Sequence, residues 1–405
     1  MSLNRTALFR ILLISASLSL AIVYVLSWVD VISDPEQRNG SDFMAFYAAG
    51  RGMLERNAAA AYDMQFIKVT QETVAGYRTS ERGFFPYMHP PFILPILWGV
   101  AHFEYIPAYI LWAAFMLVLA VIAASVAARL FPAGIQRVAL WLGMTFFFPV
   151  FISLANGQDS TLLLLGGMLW YFGLSKRSSM LAGMGLALTT IRPQVALVLS
   201  LPFFLNRNQR MVWWWFVSGA LVLVVFSVLL IGVDGLKNFM EIMSITVSGT
   251  DYQINETAMF NLIGMTTRLI PGMSATDIRV AGWAGFLIGL AGLCVVWLKT
   301  RALEERHIAL AVIVALFVSP HLHYHDLALL LIPILGVVRQ AGAGRPSPDF
   351  LTLLPLGISL LLIATYSVSL LAHPVVYLTE AGLLFVLWRE SGASAALEKK
   401  SENQI

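Results

Sequence analysis

Apolar runs separated by short polar turns fill most of the chain. They fall near residues 7–29, 106–130, 138–154, 159–174, 180–191, 193–205, 212–232, 280–298, 307–320, 325–339, 350–371 and 374–389. Runs approaching about 20 apolar residues match the hydrocarbon thickness of a bilayer. Backbone in lipid must be hydrogen-bonded internally, so such runs predict spanning helices. The alternating ten-residue pattern of a membrane β-barrel is absent. The pattern therefore predicts an all-α polytopic membrane protein with about 12 transmembrane helices. Two places break it: "TTIRPQ" between the fifth and sixth runs, and "SPHLHYHD" between the ninth and tenth. Irregular backbone at membrane depth is tolerated where it lines a cavity. Arg5 and Arg10 precede the first run, as in a signal peptide. That run is too long and lacks a small-residue cleavage site, so a retained first helix is expected.

Basic residues orient the runs. "HPPFILPILWGVAHF" is short and holds three prolines. Treated as a non-crossing juxtamembrane helix, it leaves Arg5, Arg10, Arg129, Arg137, Lys176, Arg177, Arg207, Arg210, Lys299, Arg301, Arg306, Arg339, Arg345, Arg389, Lys399 and Lys400 on one side. These are 16 of the 26 Lys and Arg, and the positive-inside rule makes that side cytoplasmic. Both termini are then cytoplasmic. Residues 1–390 form a single membrane domain, and 391–405 form a cytoplasmic tail. The first loop (30–105), the "NGQDS" turn, Arg192, the 233–279 loop and the histidine stretch all face outward. That gathering predicts an extracytoplasmic site over a membrane cavity.

Composition agrees. The chain is 58% hydrophobic and 12% charged, with mean hydropathy +0.77, where soluble domains carry about 25% charged residues. A net charge of +3 without a basic, aromatic-interleaved stretch argues against nucleic acid as a partner. The single Cys294 rules out an intrachain disulfide and a thiol metal site.

The polar residues offer chemistry, each beside a plainer structural role. In "SDFMAFYAAGRGMLE", Phe43, Phe46, Tyr47, Gly50 and Leu54 recur at helical spacing, which predicts an amphipathic helix lying on the membrane. Asp42 starts it, as an N-cap or as a general base at the lipid–water boundary. Asn156, Gln158 and Asp159 form either a polar turn around Gly157 or a set of hydrogen-bonding groups for sugar hydroxyls. Arg192 lies between two apolar runs, where a guanidinium is expensive. It pairs with an acid, for which Asp159 is the candidate, or binds an anion. His321, His323 and His325 alternate and share one face if the segment is extended. They suit zinc, a phosphate, or capping and solvent exposure; no HExxH pattern favours the metal. A wall of charged imidazoles would lose activity as pH rises through their titration. Asp326 is placed to cap the tenth helix. The "NET" triplet at Asn255 is taken as chance.

Taken in order, "SDFMAFYAAGRGMLE", "YMHPPFILPIL", "NGQDSTLLLLGGMLW", "RPQVALVLSLPFFL" and "SPHLHYHDLALLLIP" resemble glycosyltransferase family 87, the polyprenyl-phosphate-mannose-dependent mannosyltransferases and their bacterial relatives. The resemblance covers about residues 40 to 340. It implies a GT-C fold and an integral-membrane inverting hexosyltransferase of the bacterial inner membrane. The donor would be a polyprenyl-phosphate sugar and the acceptor an extracytoplasmic lipid or glycan, with no cofactor and no metal. The family's catalytic acid falls on Asp42, and its Pro-Pro helix on His89, Pro90 and Pro91. The cation before the proline of the sixth helix, commonly lysine, is here Arg192. The resemblance thus implies Arg192, His321, His323 and His325 at the donor phosphate. It leaves Asn156, Gln158, Asp159, Tyr47, His89 and Asn261 for the sugar or acceptor. The chain departs from the family in the second long loop, where Asn261 is kept without the Gln-Ser that follows it in many relatives. A competing class is a lipid or solute transporter, which broken helices and an intramembrane arginine also fit. Another is a different GT-C transferase, such as an oligosaccharide ligase.

Overall fold

The computed structural model describes residues 4–39, 41–78, 83–248, 256–300, 302–342 and 349–402. Among these the protein is helical throughout, with no strand. Asn255 lies outside them. Helix is present at each of the twelve predicted positions. Among the described residues, seven segments are long and apolar enough to cross a membrane: Arg5–Ser33, Tyr105–Ala128, Ile135–Ala155, Arg207–Ser244, Ala275–Lys299, Tyr324–Ala341 and Leu370–Arg389. The others are short. Pro193–Leu205, for example, has 13 residues, about 20 Å of helix against roughly 30 Å of hydrocarbon. The structure supports a multi-pass helical membrane protein, while helix length alone does not establish twelve crossings.

The helices sort into an inner and an outer set. The Tyr324–Ala341 window is 83% buried within the protein, whereas that of Arg207–Ser244 is 17% buried. The latter helix carries exposed Leu221, Val222, Val224, Leu229 and Val233, the surface expected toward lipid. It breaks at Gly232, where φ is +65°, a conformation that glycine tolerates best. The segment resumes past the predicted end of that run and continues to Ser248.

Both predicted breaks are present. A 3₁₀ turn, Thr189–Ile191, closes one helix; Arg192 leaves helical geometry at φ −122°, ψ 86°; and Pro193 opens the next helix. Proline suits a helix start because its missing N–H would be unsatisfied there anyway. The second break runs from Ser319 to His323 and enters a 3₁₀ helix, Tyr324–Leu330. Seven residues is long for this form, which usually persists for three or four.

The first loop departs from expectation. Its helix, Phe43–Glu55, is packed inside the protein rather than presenting one apolar face. Phe43 through Gly50 are all buried, on every side of the helix. A side chain at Gly50 would collide with the carbonyl of Leu97, and one at Gly52 with Ala60. The helix is clamped between the Ala58–Tyr62 turn and the short Leu94–Val100 helix. Small residues, rather than an amphipathic stripe, permit that fit.

Candidate active site

Asp42 precedes Phe43–Glu55 in the N-cap position, but its backbone is helical and its side chain makes no capping hydrogen bond. Its carboxylate instead accepts a hydrogen bond from Gln158 Nε2 at 2.8 Å. The two come together because the "NGQDS" turn docks on the helix start. The Phe43 amide donates to the Asn156 carbonyl at 3.1 Å. Trp112 Nε1 donates to the Gly157 carbonyl at 2.8 Å. Gly157 holds φ at +65°, and a Cβ there would lie 2.4 Å from the Cβ of Phe43.

Beyond Gln158 the chain of contacts continues inward. Arg192 Nη2 donates to Gln158 Oε1 at 3.3 Å and contacts Asp159 Oδ1 at 2.9 Å. Its Nε lies 3.3 Å from Asp326 Oδ1, which also accepts from Ser160 Oγ at 2.6 Å. His89 Nδ1 sits 2.7 Å from Asp159 Oδ2. The same nitrogen lies 3.2 Å from Arg192 Nη1, so His89 touches both members of the Arg192–Asp159 pair. Burial alone would push the Asp159 carboxyl up, but Arg192 and His89 outweigh it and hold the group below the ordinary carboxylate range. Buried charges persist when paired, and Arg192 and His89 give Asp159 that pairing.

The groups border a cavity of about 610 Å³, a size typical of small-molecule sites. Asp42, His89, Asn156, Gln158, Arg192, His321, His323, His325 and Asp326 all line it. The His321 and His323 rings are 4.8 Å apart, and those of His323 and His325 5.8 Å. Burial, with neighbouring imidazoles and Arg192, pushes His321 well below its ordinary value and His323 to about 4. Both are therefore neutral near pH 7, so they offer N–H groups rather than positive charge. Among the described residues, no group of three or more His, Cys, Asp or Glu is arranged to hold a metal ion.

Three expected sugar or acceptor residues are used elsewhere. Tyr47 is buried, donates to the Phe103 carbonyl at 3.0 Å, and does not border the cavity. Asn261 is fully buried. Its Oδ1 accepts from Gly264 N at 2.9 Å and its Nδ2 donates to the Ser319 carbonyl at 2.7 Å, which fastens its loop to the histidine stretch. Asp159 is likewise fully buried in its ion pairs. Conversely, Glu256, Arg279, Trp283 and His373 line the cavity but were not singled out from the sequence. Arg279 and Trp283 stand four apart at the N-terminal end of an apolar run, a helical spacing that marks one face.

Polar residues from several helix ends, converging on one cavity in a helical membrane domain, define a polytopic membrane protein with an enzyme-like pocket. The sequence profile of glycosyltransferase family 87 matches residues 87–320. That stretch exceeds half of the 405 residues, and the chain belongs to this family of glycosyltransferases. The match includes His89, Asn156, Gln158, Asp159 and Arg192. Asp42 and the three histidines lie outside it, so geometry alone joins them to the site. No curated protein matches the chain.

Proposed function

We propose that the protein is an inverting transferase. It moves a hexose, with mannose the first candidate, from a polyprenyl-phosphate donor to a lipid or glycan acceptor on the outer face of a bacterial inner membrane. The observation that carries this reading is Asp42: a carboxylate at a helix start that leaves the cap unfilled, turns to the cavity and is held there by Gln158. As general base it takes the proton of an acceptor hydroxyl. The hydroxyl oxygen bonds to the anomeric carbon. The bond from that carbon to the phosphate oxygen breaks, and both its electrons leave with polyprenyl phosphate. Attack opposite the leaving group inverts the anomeric centre.

Neutral His321 and His323 supply N–H donors toward the developing phosphate charge, a form of stabilisation that is strong in a dry site. Asn156 faces the sugar. Arg192 takes a different part from the one its position suggested. With Asp159 and Asp326 against it, it braces Gln158 and so the base.

The test is sugar transfer by purified wild type and Asp42→Asn from a radiolabelled lipid-linked sugar. The variant loses about 100- to 10,000-fold in rate, the usual contribution of a positioned base. Unchanged transfer would remove Asp42 from the mechanism. Chelator leaves the rate unaltered if the imidazoles act as donors; loss would turn them into metal ligands.

A further inference from the structure

Inversion places base and leaving group on opposite faces of the anomeric carbon. Arg192 is joined to Asp42 through the single amide of Gln158, so it stands on the base's side. An anion beside it would also meet Asp159 and Asp326. Another guanidinium borders the same cavity. Arg279, in the first turns of Ala275–Lys299, has its Nε 3.0 Å from Glu256 Oε1, with the two side chains 19% and 15% exposed. This wall is built independently of Asp42. Arg268 Nη1 donates to the carbonyls of Thr257 and Met259 at 2.6 and 2.9 Å. The Met259 amide donates to the Glu256 carbonyl at 3.1 Å. Asn261 then ties the turn to Ser319, beside the imidazoles.

Resting on the transferase reading, we infer that Arg279 seats the phosphate of the lipid-linked donor, with Glu256 as the counter-ion that yields as the phosphate arrives. A guanidinium meets phosphate through paired, charge-assisted hydrogen bonds. Trp283, one turn along the same helix face, lines the cavity beside it. When the bond from the anomeric carbon to oxygen breaks, the electron pair then collects on the phosphate oxygen beside Arg279, while Asp42 holds the acceptor's proton.

The experiment uses the full chain in detergent. Arg279→Gln raises the KM for donor about tenfold or more, the loss of one charge-assisted contact, and leaves the KM for acceptor in place. Arg279→Lys recovers part of the loss. Glu256→Gln removes the competing carboxylate and lowers the donor KM. An ion pair serving only the fold gives the opposite pattern: both single variants lower the melting temperature alike, and the double variant restores wild-type donor KM.

Calorimetric binding of farnesyl phosphate separates this proposal from the transferase reading. If wild type transfers sugar and Arg279→Gln keeps its donor KM, the seat is wrong and the transferase stands. If no lipid-linked sugar is transferred yet farnesyl phosphate binds to wild type and not to Arg279→Gln, the seat stands alone. Absence of both overturns both. Inorganic phosphate or farnesol binding as tightly as farnesyl phosphate would overturn the lipid-phosphate assignment.

Discussion

Gln158 has the two ends of its amide committed in opposite senses. Its oxygen accepts from Arg192, which can only donate, so its nitrogen must face Asp42. The orientation of the Asp42 carboxylate is thereby inherited from a guanidinium through the Gln158 amide. Gln158→Leu is predicted to lower kcat about 10- to 100-fold with donor KM held, the effect of a misplaced catalytic group. A sugar-binding role would raise KM instead, and steady-state kinetics separates the two. The imidazoles carry the pH prediction. The sign follows from their depressed values: His323 titrates near 4 against an ordinary 6.5. Between those values the unfolded chain binds more protons than the folded one, so stability rises with pH across that window and is lost on acidification. Neutral donors also mean that His321 and His323 cause no fall in activity above about pH 6. A pH–rate profile that declines from pH 6 to 8 through one imidazole titration would restore the charged-wall reading.

At the scale of elements, the turn between Ala155 and Ser160 sets the geometry of Asp42. Gly157→Ala forces a side chain into a left-handed backbone and against Phe43. Conformation alone costs about 1–2 kcal/mol, and relieving the contact displaces the start of Phe43–Glu55. Thermal unfolding is expected to show a lower melting temperature, with activity falling further than stability explains. Much of this level was legible in the sequence. Pro193 fixed the break at Arg192 because its geometry is local, and the apolar runs located each helix. What depends on distant partners was not legible. In the sequence Asp42 reads as a cap or a base, and its hydrogen bond to Gln158, 116 positions away, leaves no local trace. Tyr47 and Asn261 look available until burial and the carbonyls of Phe103 and Ser319 claim them. The Phe43–Glu55 helix carries an apolar stripe, but its remaining small residues are equally buried, which spacing does not reveal. Arg279 sat in a long loop's final residues, where positive charge carries little topological information.

Across the whole molecule, Arg192 joins elements far apart in sequence: the start of Pro193–Leu205, the turn before Ser160–Ser175 and the 3₁₀ helix Tyr324–Leu330. Arg192→Leu strips two buried carboxylates of their guanidinium, leaving His89 and Ser160 against them, and is predicted to cost about 3–5 kcal/mol. Adding Asp159→Asn and Asp326→Asn should recover much of it. Melting temperatures in detergent decide the matter. A phosphate ligand with no bracing role would leave stability unmoved.

The lightly buried Arg207–Ser244 helix has a consequence for how substrate is counted. Met243, in the segment beyond the Gly232 break, lines the cavity, so the site's wall continues directly from the helix most open to lipid. A chain-bearing donor can then arrive by a two-dimensional search within the leaflet and never enter bulk water. Its effective concentration is a mole fraction of the membrane. Diluting proteoliposomes with buffer should leave the rate per enzyme constant, and adding inert lipid should slow it.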